Sequence, residues 1–389
     1  MIKTAKPEEE LNLIAEEGNG KLYECKGFLV PVLSGSSREM GTQYGNMMVE
    51  SMQKAYDVLV KPAFKSGVLT DEDATVWTER AVSTFSNHNR EFYKGLEKST
   101  GWSQVKIGIL DQLMEFGAYQ AALHIFSGCT SIFAWKNFSK DGHMYIGRNM
   151  DWSMQYNEFP QVLTVINPDD GRYRYASIGW PGIYCALTAL NEHGVYLDVH
   201  DGTSMGGIVI YKDRPPITGI LSDIISDTAS VEGLIRRLNG TNCSASLILN
   251  LADESSAASM ECSSLGGNRV RLSDNNSMVA VNSFLNPDWG IHRRDTLSHS
   301  LERLSNMTRR LDENKGSIDV EKTCELMDLQ LFEADGTLGK GCTKPTKIDI
   351  DQTTHQVVTD VSKRKIWLKV PNPDYFVDWT PFDLKTLWR

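Results

Sequence analysis

The hydrophobic and polar positions divide the chain into a helical first third and a strand-rich remainder. In the first third, apolar residues recur at three- and four-residue spacing, which is the pattern of amphipathic helices. That spacing predicts helices over residues 38–64, 71–97 and 104–124. A polar lead-in over residues 1–30 precedes them, and the apolar run 28–33 predicts a strand.

The period changes to two after residue 128. Short segments rich in β-branched and aromatic residues, separated by turn pairs such as Asp141-Gly142, predict strands. These segments are 129–136, 143–148, 161–167, 173–179, 183–190, 194–200, 245–251, 257–262, 278–281, 346–350, 356–359 and 365–370. Helices are predicted over 216–238, 295–311 and 320–332. Strands in groups with helices between them favour a layered α/β sandwich over alternating βαβ units.

Composition and charge exclude several classes of protein. The chain has 389 residues, of which 41% are hydrophobic and 23% charged, as in ordinary globular proteins. Its formal net charge is −10 and no basic stripe is visible, which argues against nucleic-acid binding. The longest apolar runs are too short to span a bilayer. The first thirty residues contain no secretory signal and the seven cysteines no disulfide framework, so we expect a cytoplasmic protein.

Cys129 is the strongest candidate for chemistry. A thiol inside a chain has a pKa near 8.5 and needs a base to act as a nucleophile. If the bond between Gly128 and Cys129 is cut, the new α-amine titrates at roughly 7.7–8.0 and can be that base. Glycine at position 128 lets the backbone adopt the strained conformation that presents its carbonyl to the thiol. The sequence therefore indicates self-cleavage between Gly128 and Cys129.

Arg148 and Asp151 follow Cys129 in a predicted hairpin. If residues 129–136 and 143–148 pair in antiparallel fashion, with the turn at residues 140–142, Arg148 returns to the neighbourhood of Cys129. A guanidinium there favours the thiolate. Asp151 can accept a hydrogen bond from the cysteine amine and orient its lone pair.

These motifs resemble the start of the mature catalytic subunit in N-terminal nucleophile (Ntn) amidohydrolases. The groups concerned are the choloylglycine hydrolases, the acyl-coenzyme A:6-aminopenicillanic acid acyltransferases, and the acid ceramidase and N-acylethanolamine acid amidase pair. The similar segments are CTSI at 129–132, DGH at 141–143, GRNMDW at 147–152, LSGSSREMG at 33–41 with QYG at 43–45, WPG at 180–182, LNEHGV at 190–195, VNS at 281–283 and RR at 293–294. The resemblance covers residues 31–370 and is most specific between 129 and 151.

The resemblance implies a role for each matching residue. Cys129 would be nucleophile and base, with Arg148 and Asp151 polarising and orienting it. Asn282 would donate its side-chain amide to the oxyanion of the tetrahedral intermediate. Arg294 would support Cys129 or Asp151, with Arg293 as the alternative arginine.

The sequence departs from the family pattern in two places. Many relatives carry an asparagine at the end of the strand after Gly194, where this chain reads DVHD at residues 198–201. His200 could supply the second oxyanion donor in its place, or a backbone N–H could, and His200 and Asp201 are candidate substrate contacts. The stretch GKGCTKP at residues 339–345 replaces a plain strand and has no explanation.

Each candidate also has a structural interpretation. A lone cysteine such as Cys129 is most often a buried apolar residue. Arg148 and Asp151 could form a structural ion pair. Asn282 could be a strand-end turn residue, and Arg294 a surface charge on a helix.

Taken together, the sequence predicts a four-layer αββα sandwich with two stacked antiparallel sheets. Residues 1–128 would be a mostly helical pro-segment or small subunit, and residues 129–389 the catalytic subunit. The predicted activity is hydrolysis of a linear N-acyl amide bond through an S-acyl enzyme at Cys129, without metal or cofactor. Acyl transfer to an amine or thiol is the first alternative, and a non-processing ligand- or partner-binding relative the second. The expected partner is a small-molecule amide, and homo-oligomerisation stays open.

Overall fold

Two β-sheets stack face to face at the centre of the fold. The computed structural model describes residues 11–115, 128–206, 214, 216–273, 275–290, 294–296, 299–329, 352–371 and 378–389. The larger sheet has ten strands in the order β1-β2-β3-β6-β7-β8-β9-β10-β11-β12. They are β1 (Asn12–Glu17), β2 (Gly20–Cys25), β3 (Phe28–Gly35), β6 (Val162–Pro168), β7 (Tyr175–Gly179), β8 (Thr188–Asn191), β9 (Tyr196–Asp201), β10 (Leu247–Ala252), β11 (Ala257–Ser263) and β12 (Gly267–Leu272).

The smaller sheet has six strands in the order β13-β4-β5-β14-β15-β16. They are β4 (Gly128–Lys136), β5 (Gly142–Trp152), β13 (Ser277–Ala280), β14 (Gln352–Asp360), β15 (Lys365–Lys369) and β16 (Thr380–Asp383). All five of its strand pairings are antiparallel. In the larger sheet β3 and β6 are parallel, which departs from the all-antiparallel expectation at that one pair.

Helices cover the outer face of each sheet. They are α1 (Ser37–Ala55), α2 (Lys61–Lys65), α3 (Asp71–Thr84), α4 (Asn87–Thr100), α5 (Gln104–Asp111), α6 (Thr203–Gly206), α7 (Thr218–Asp227), α8 (Val231–Asn239), α9 (Ser300–Glu313), α10 (Val320–Leu329) and α11 (Leu384–Leu387). A π-helical turn, Tyr56–Val60, joins α1 to α2. Short 3-10 helices lie at Met154–Glu158 and Pro287–Trp289.

Three apolar clusters fill the spaces between these layers. One lies between α1, α3–α5, α7 and α8 and the larger sheet, and a second lies between the sheets. The third joins α9 and α10 to the smaller sheet. Phe133 and Tyr196 mark the layer between the sheets, with their ring centroids 6.2 Å apart. The predicted αββα sandwich is confirmed.

The polar lead-in predicted over residues 1–30 is wrong for its described part. β1 and β2 lie there and extend the larger sheet beyond β3. β1 is an edge strand and most of its side chains are exposed, while those of β2 are half-exposed or buried. The sequence therefore shows little apolar alternation here. β12 lies at the opposite edge, is equally polar and is also absent from the sequence-based expectation.

Several predicted helices end earlier than the apolar pattern suggests. The helix predicted over 71–97 is two helices, because Ser86 caps the start of α4 by accepting the amide of Asn89. Ser230 divides the one predicted over 216–238 in the same way. A capping box formed by Ser36 and Glu39 starts α1.

Some predictions fall outside the described residues. They are the end of the helix predicted over 104–124, the strand at 346–350 and the stretch 339–345. Within the described ranges, no helix has the length and apolar character needed to cross a membrane.

Candidate functional site

The β4–β5 hairpin places the first candidate residues, as predicted. Cys129 lies opposite Met150, and Ser131 lies opposite Arg148. Residues directly opposite each other, and residues two apart on one strand, share a face of the sheet. Cys129 and Arg148 therefore point to the same side. Gly128 lies opposite Asp151, so this carboxylate is level with the peptide bond before Cys129.

Asn282 and Arg303 bind the main chain of Cys129. The amide of Cys129 donates to Oδ1 of Asn282 at 2.7 Å. Nη2 of Arg303 donates to the same oxygen at 2.9 Å, and Nη1 donates to the carbonyl of Cys129 and to Oγ1 of Thr130. Nδ2 of Asn282 donates to the carbonyl of Asp201 at 3.0 Å. An arginine can only donate, so it fixes which end of the Asn282 amide faces Cys129.

The arginine predicted at position 294 does not belong to this cluster. Arg294 is exposed, and its carbonyl accepts the hydroxyl of Ser283 at 2.8 Å. Arg293 lies outside the described residues. α9 begins at Ser300 rather than near 295, so the arginine that reaches Cys129 is Arg303 in the first turn of α9. A sequence signal was present: Arg303, Met307 and Leu311 are spaced as one buried helix face.

Arg148 is completely buried against the larger sheet. Nη1 donates to the carbonyl of Leu187 at 2.7 Å and to Oγ1 of Thr188, and Nη2 donates to the carbonyl of Val199 at 2.7 Å. Among the described residues its Nε–H has no hydrogen-bond partner. These acceptors are neutral, so the charge of the guanidinium is available to a negative group nearby.

Asp151 lies at the end of β5 and is half-buried. Its Oδ1 accepts the hydroxyl of Thr353 from the neighbouring strand β14 at 2.5 Å. This contact fixes the carboxylate on a residue that pairs with Gly128 across the β4–β5 hairpin.

A largely apolar pocket opens at Cys129. It encloses about 390 Å³ of space not filled by atoms, part of it open to solvent. Its apolar lining comes from Met114, Met150, Trp152, Leu187, Val199 and Leu247. Two carboxyl groups, Glu115 and Asp201, also line it. The thiol is thus not sealed in apolar packing, although Cys129 is only 2% exposed.

The surroundings of Cys129 have opposite effects on its ionisation. The net effect raises the pKa of the thiol to about 11. Burial is the largest cause, Asp151 and Asp198 act in the same direction, and Arg148 and Arg303 lower the pKa. The thiol of the uncut chain is therefore protonated at neutral pH. A base close to the sulfur is needed before it can attack.

Of the two candidate contacts His200 and Asp201, only Asp201 lines the pocket. His200 is completely buried, with Nε2 at 2.9 Å from Oγ of Ser131, and it does not line the pocket. Asp201 does line it, and its carboxylate accepts the amide and hydroxyl of Thr203 at 2.9 and 3.1 Å. Because side chains alternate along β9, the register decides which of the two faces the pocket.

Glu115 is a part of the site that the sequence did not indicate. Its Oε2 accepts the amide and hydroxyl of Thr218 at 3.0 and 2.8 Å, and Oε1 accepts the hydroxyl of Ser244. Burial raises the pKa of this carboxyl.

No group of three histidine, cysteine or acidic side chains in the described part of the chain could hold a metal ion.

Comparisons with known proteins give similarity of structure only. No known family profile matches the sequence, and no curated protein is similar to it in sequence. Among solved structures, a mutant of conjugated bile acid hydrolase from Clostridium perfringens is 13% identical, with a TM-score of 0.47 over 66% of this chain and 93% of its own. The Caenorhabditis elegans ortholog of N-acylethanolamine-hydrolyzing acid amidase is 16% identical, with a TM-score of 0.44 over 60% of this chain and 93% of its own.

Penicillin V acylase from Agrobacterium tumefaciens is 14% identical, with a TM-score of 0.43 over 62% of this chain and 83% of its own. At these identities the similarity concerns the fold.

Proposed function

We propose that this chain is a self-processing cysteine amidohydrolase with Cys129 as its N-terminal nucleophile. The observation that carries the proposal is the clamp on Cys129: Asn282 and Arg303 bind its main-chain nitrogen and oxygen at the mouth of an apolar pocket. A cysteine needed only for packing would not require a buried arginine and an asparagine to fix its backbone.

Maturation would begin with attack of the Cys129 thiol on the carbonyl carbon of Gly128. The C–S bond forms, the C–N bond breaks, and the nitrogen of Cys129 leaves as a free amine. Water then hydrolyses the resulting thioester, which returns the thiol and leaves a carboxylate on Gly128. The products would be residues 1–128 and residues 129–389, the pro-segment and the catalytic subunit.

The mature site would then cleave an amide. The α-amine of Cys129 takes the thiol proton, and the sulfur attacks the substrate carbonyl. The same amine returns the proton to the leaving amine, and water releases the acid from the S-acyl enzyme. Oδ1 of Asn282 already accepts the N–H of Cys129, so it would orient the amine with its lone pair toward the sulfur.

The oxyanion would be stabilised by Asn282 as well. Nδ2 of this side chain carries two hydrogens, of which one is directed to the carbonyl of Asp201. The other would bind the oxyanion, a contact of the kind that is worth about 3–4 kcal/mol in the barrier. Arg148 would stabilise the thiolate with its charge and with its Nε–H, which has no partner in the part of the chain that the structure describes.

The apolar lining of the pocket favours a substrate with an apolar acyl chain. The substrate class proposed is therefore a small N-acyl amide whose acyl group lies against Met150, Trp152 and Leu247. No metal or cofactor is required for this chemistry.

Trapping of the acyl enzyme tests the function. The purified protein is incubated with a panel of N-acyl amides, quenched with acid and digested. The mass of the peptide that carries Cys129 is then measured by mass spectrometry. We expect it to gain the mass of the acyl group with at least one amide, and a Cys129→Ala variant to gain nothing. Acylation of other residues, or none on Cys129 while amide is consumed, contradicts the proposal.

Analysis of the products separates hydrolysis from transfer. Free acid as the product, unchanged by added amine or thiol, supports the hydrolase. A new amide or thioester formed when amine or thiol is added identifies an acyltransferase. A protein that binds amides without consuming them is the non-processing relative.

A further inference from the structure

A network of polar side chains lies between the sheets beside Cys129. Ser131, two residues further along β4 on the same face, donates its hydroxyl to Oδ2 of Asp198 at 2.7 Å. Tyr196 donates to the same oxygen at 3.0 Å, and Nδ2 of Asn250 donates to Oδ1 at 2.7 Å. All four of these network side chains are at most 1% exposed.

The network and its neighbour His200 include a serine, a histidine and an aspartate, but these do not form a catalytic triad. In a triad, the serine and the carboxylate bind opposite nitrogens of the imidazole. Here Nε2 of His200 faces both Oγ of Ser131, at 2.9 Å, and Oδ1 of Asp198, at 3.3 Å. None of the three lines the pocket at Cys129. The network must act through another group.

Arg148 is the group that links this network to Cys129. It lies opposite Ser131 in the β4–β5 pair. Its guanidinium binds Thr188, which lies opposite Asp198 in the β8–β9 pair, and the carbonyl of Val199, the next residue after Asp198. The guanidinium of Arg148 thus binds β8 and β9, the strand that carries Asp198. Both charged groups lie in a buried layer of low dielectric constant. Charges interact strongly in such surroundings.

We propose that Asp198 is a positioning residue of the Cys129 site, whose buried charge offsets that of Arg148 and so determines how readily the thiol ionises. The inference rests on the proposed role of Cys129 as nucleophile. Asp198, the first residue of the segment DVHD at 198–201, thereby gains a function. His200 would support its carboxylate from 3.3 Å away.

The charges that face Cys129 come from four segments. They are Arg148 and Asp151 from β5, Arg303 from α9, Asp198 and Asp201 from β9, and Glu115 after α5. Arg148 and Arg303 lower the pKa of the thiol, whereas Asp151 and Asp198 raise it. Removing the charge of Asp198 therefore moves ionisation of the thiol to lower pH.

His200 does not cancel the charge of Asp198. Burial lowers the pKa of its imidazole to about 4, against the effect of Asp198, which raises it. The ring is neutral at neutral pH. It can donate a hydrogen bond from Nε2 while the net charge of the network stays that of Asp198.

The test is the pH dependence of alkylation of Cys129 by iodoacetamide in the full chain, followed by mass spectrometry of the peptide that carries it. In Asp198→Asn we expect the midpoint of the plot of alkylation rate against pH to move to lower pH. A shift of half a pKa unit changes the thiolate fraction about threefold, so alkylation at pH 7.5 should be faster by about threefold or more. Tyr196→Phe is the matched control, because it removes one hydrogen bond from Asp198 and keeps the charge. Its profile should coincide with that of the parent.

Two outcomes overturn the proposal: an unchanged midpoint in Asp198→Asn, or an equal shift in Tyr196→Phe. If Asp198→Asn does not fold, Asp198→Ser provides a smaller neutral side chain and the same expected shift. The measurement requires neither cleavage nor turnover, and all variants are compared in the same cleaved or uncut form. An unchanged midpoint in an active enzyme removes only the role of Asp198, whereas a protein without acyl transfer to Cys129 removes the proposed function.

Discussion

At the scale of single residues, the site depends on how the backbone of Cys129 is held. Arg303 donates to the carbonyl of Cys129 and to Oδ1 of Asn282, which in turn accepts the amide of Cys129. The three groups form a closed set of hydrogen bonds, and each is buried. Loss of a buried partner leaves the others unsatisfied, which costs more than the bond itself.

Arg303→Lys tests this set. A lysine keeps the charge but cannot bind two oxygens with one planar group. We expect the free energy of unfolding to fall by about 2–4 kcal/mol and kcat to fall with little change in KM, because the nucleophile is misplaced rather than the substrate. Chemical denaturation and steady-state kinetics on an amide from the panel measure the two effects.

Arg294→Lys is the matched control for that prediction. The side chain of Arg294 is exposed, so the same exchange should change the free energy of unfolding by less than about 0.5 kcal/mol. Equal losses in the two variants would show that Arg303 has no special part in the site.

The sequence could predict those site residues that lie within one hairpin. Cys129, Arg148 and Asp151 are separated by a single turn, so the pairing rule alone brings them together. Arg303 could not be placed, because the apolar pattern puts the helix start too early and its contact spans 174 residues. Both His200 and Asp201 were candidates for the site, and only Asp201 lines the pocket. The two differ by one position in register, to which a strand buried on both faces gives no clue.

At the scale of secondary-structure elements, α1 and α4 pack at very close range. A Cβ added to Gly95 in α4 would overlap the carbonyl oxygen of Arg38 and would lie 2.7 Å from the amide of Thr42, both in α1. Gly41 in α1 meets the backbone of Phe92 in the same way. Main-chain atoms cannot move aside as a flexible side chain can, so these helices require glycine on both sides.

Gly95→Ala should therefore separate the two helices. We expect the free energy of unfolding to fall by about 1–3 kcal/mol or more, despite the better helix propensity of alanine. Gly240→Ala is the control, since a Cβ there meets nothing within 4 Å. Denaturant unfolding measures the free energy of unfolding of both variants. Equal values for Gly95→Ala and Gly240→Ala would mean that the helices adjust to the added Cβ at no cost.

Three interior strands show where the apolar pattern predicts well. β4, β6 and β10 are buried on both faces and rich in apolar residues, and each was expected within two residues of its observed bounds. β1 and β12 lie at the ends of the ten-stranded sheet and expose much of their length. Where a strand buries little surface, the hydrophobic pattern contains little information about it.

At the scale of the whole molecule, buried histidines make stability depend on pH. His355 in β14 is completely buried, and its ring centroid lies 5.3 Å from that of Trp180. Neither ring nitrogen has a hydrogen-bond partner within the described ranges. Burial lowers the pKa of His355 well below its usual value, and Arg148 lowers it further. In the unfolded chain this histidine titrates near pH 6.5, so below that pH the unfolded state binds the extra proton.

The wild-type protein should accordingly lose stability in acid relative to His355→Gln. Stability rises with pH wherever the unfolded state binds more protons. Below pH 6.5, the unfolding free energy of the wild type should fall relative to that of His355→Gln by up to about 1.4 kcal/mol for each pH unit. Denaturation between pH 7 and 4.5 measures it, with His299→Gln, at an exposed position, as control. Parallel curves for wild type and His355→Gln would contradict the assignment.

The proposed activity requires the nitrogen and the sulfur of Cys129 to work together once the bond to Gly128 is cut. Intact mass spectrometry of freshly purified protein, with N-terminal sequencing, shows whether that bond is cut. We expect two polypeptides, residues 1–128 and 129–389, with cysteine at the new N-terminus, and a single uncut chain for Cys129→Ala. An active protein that stays in one piece, or a cut at any other bond, contradicts it.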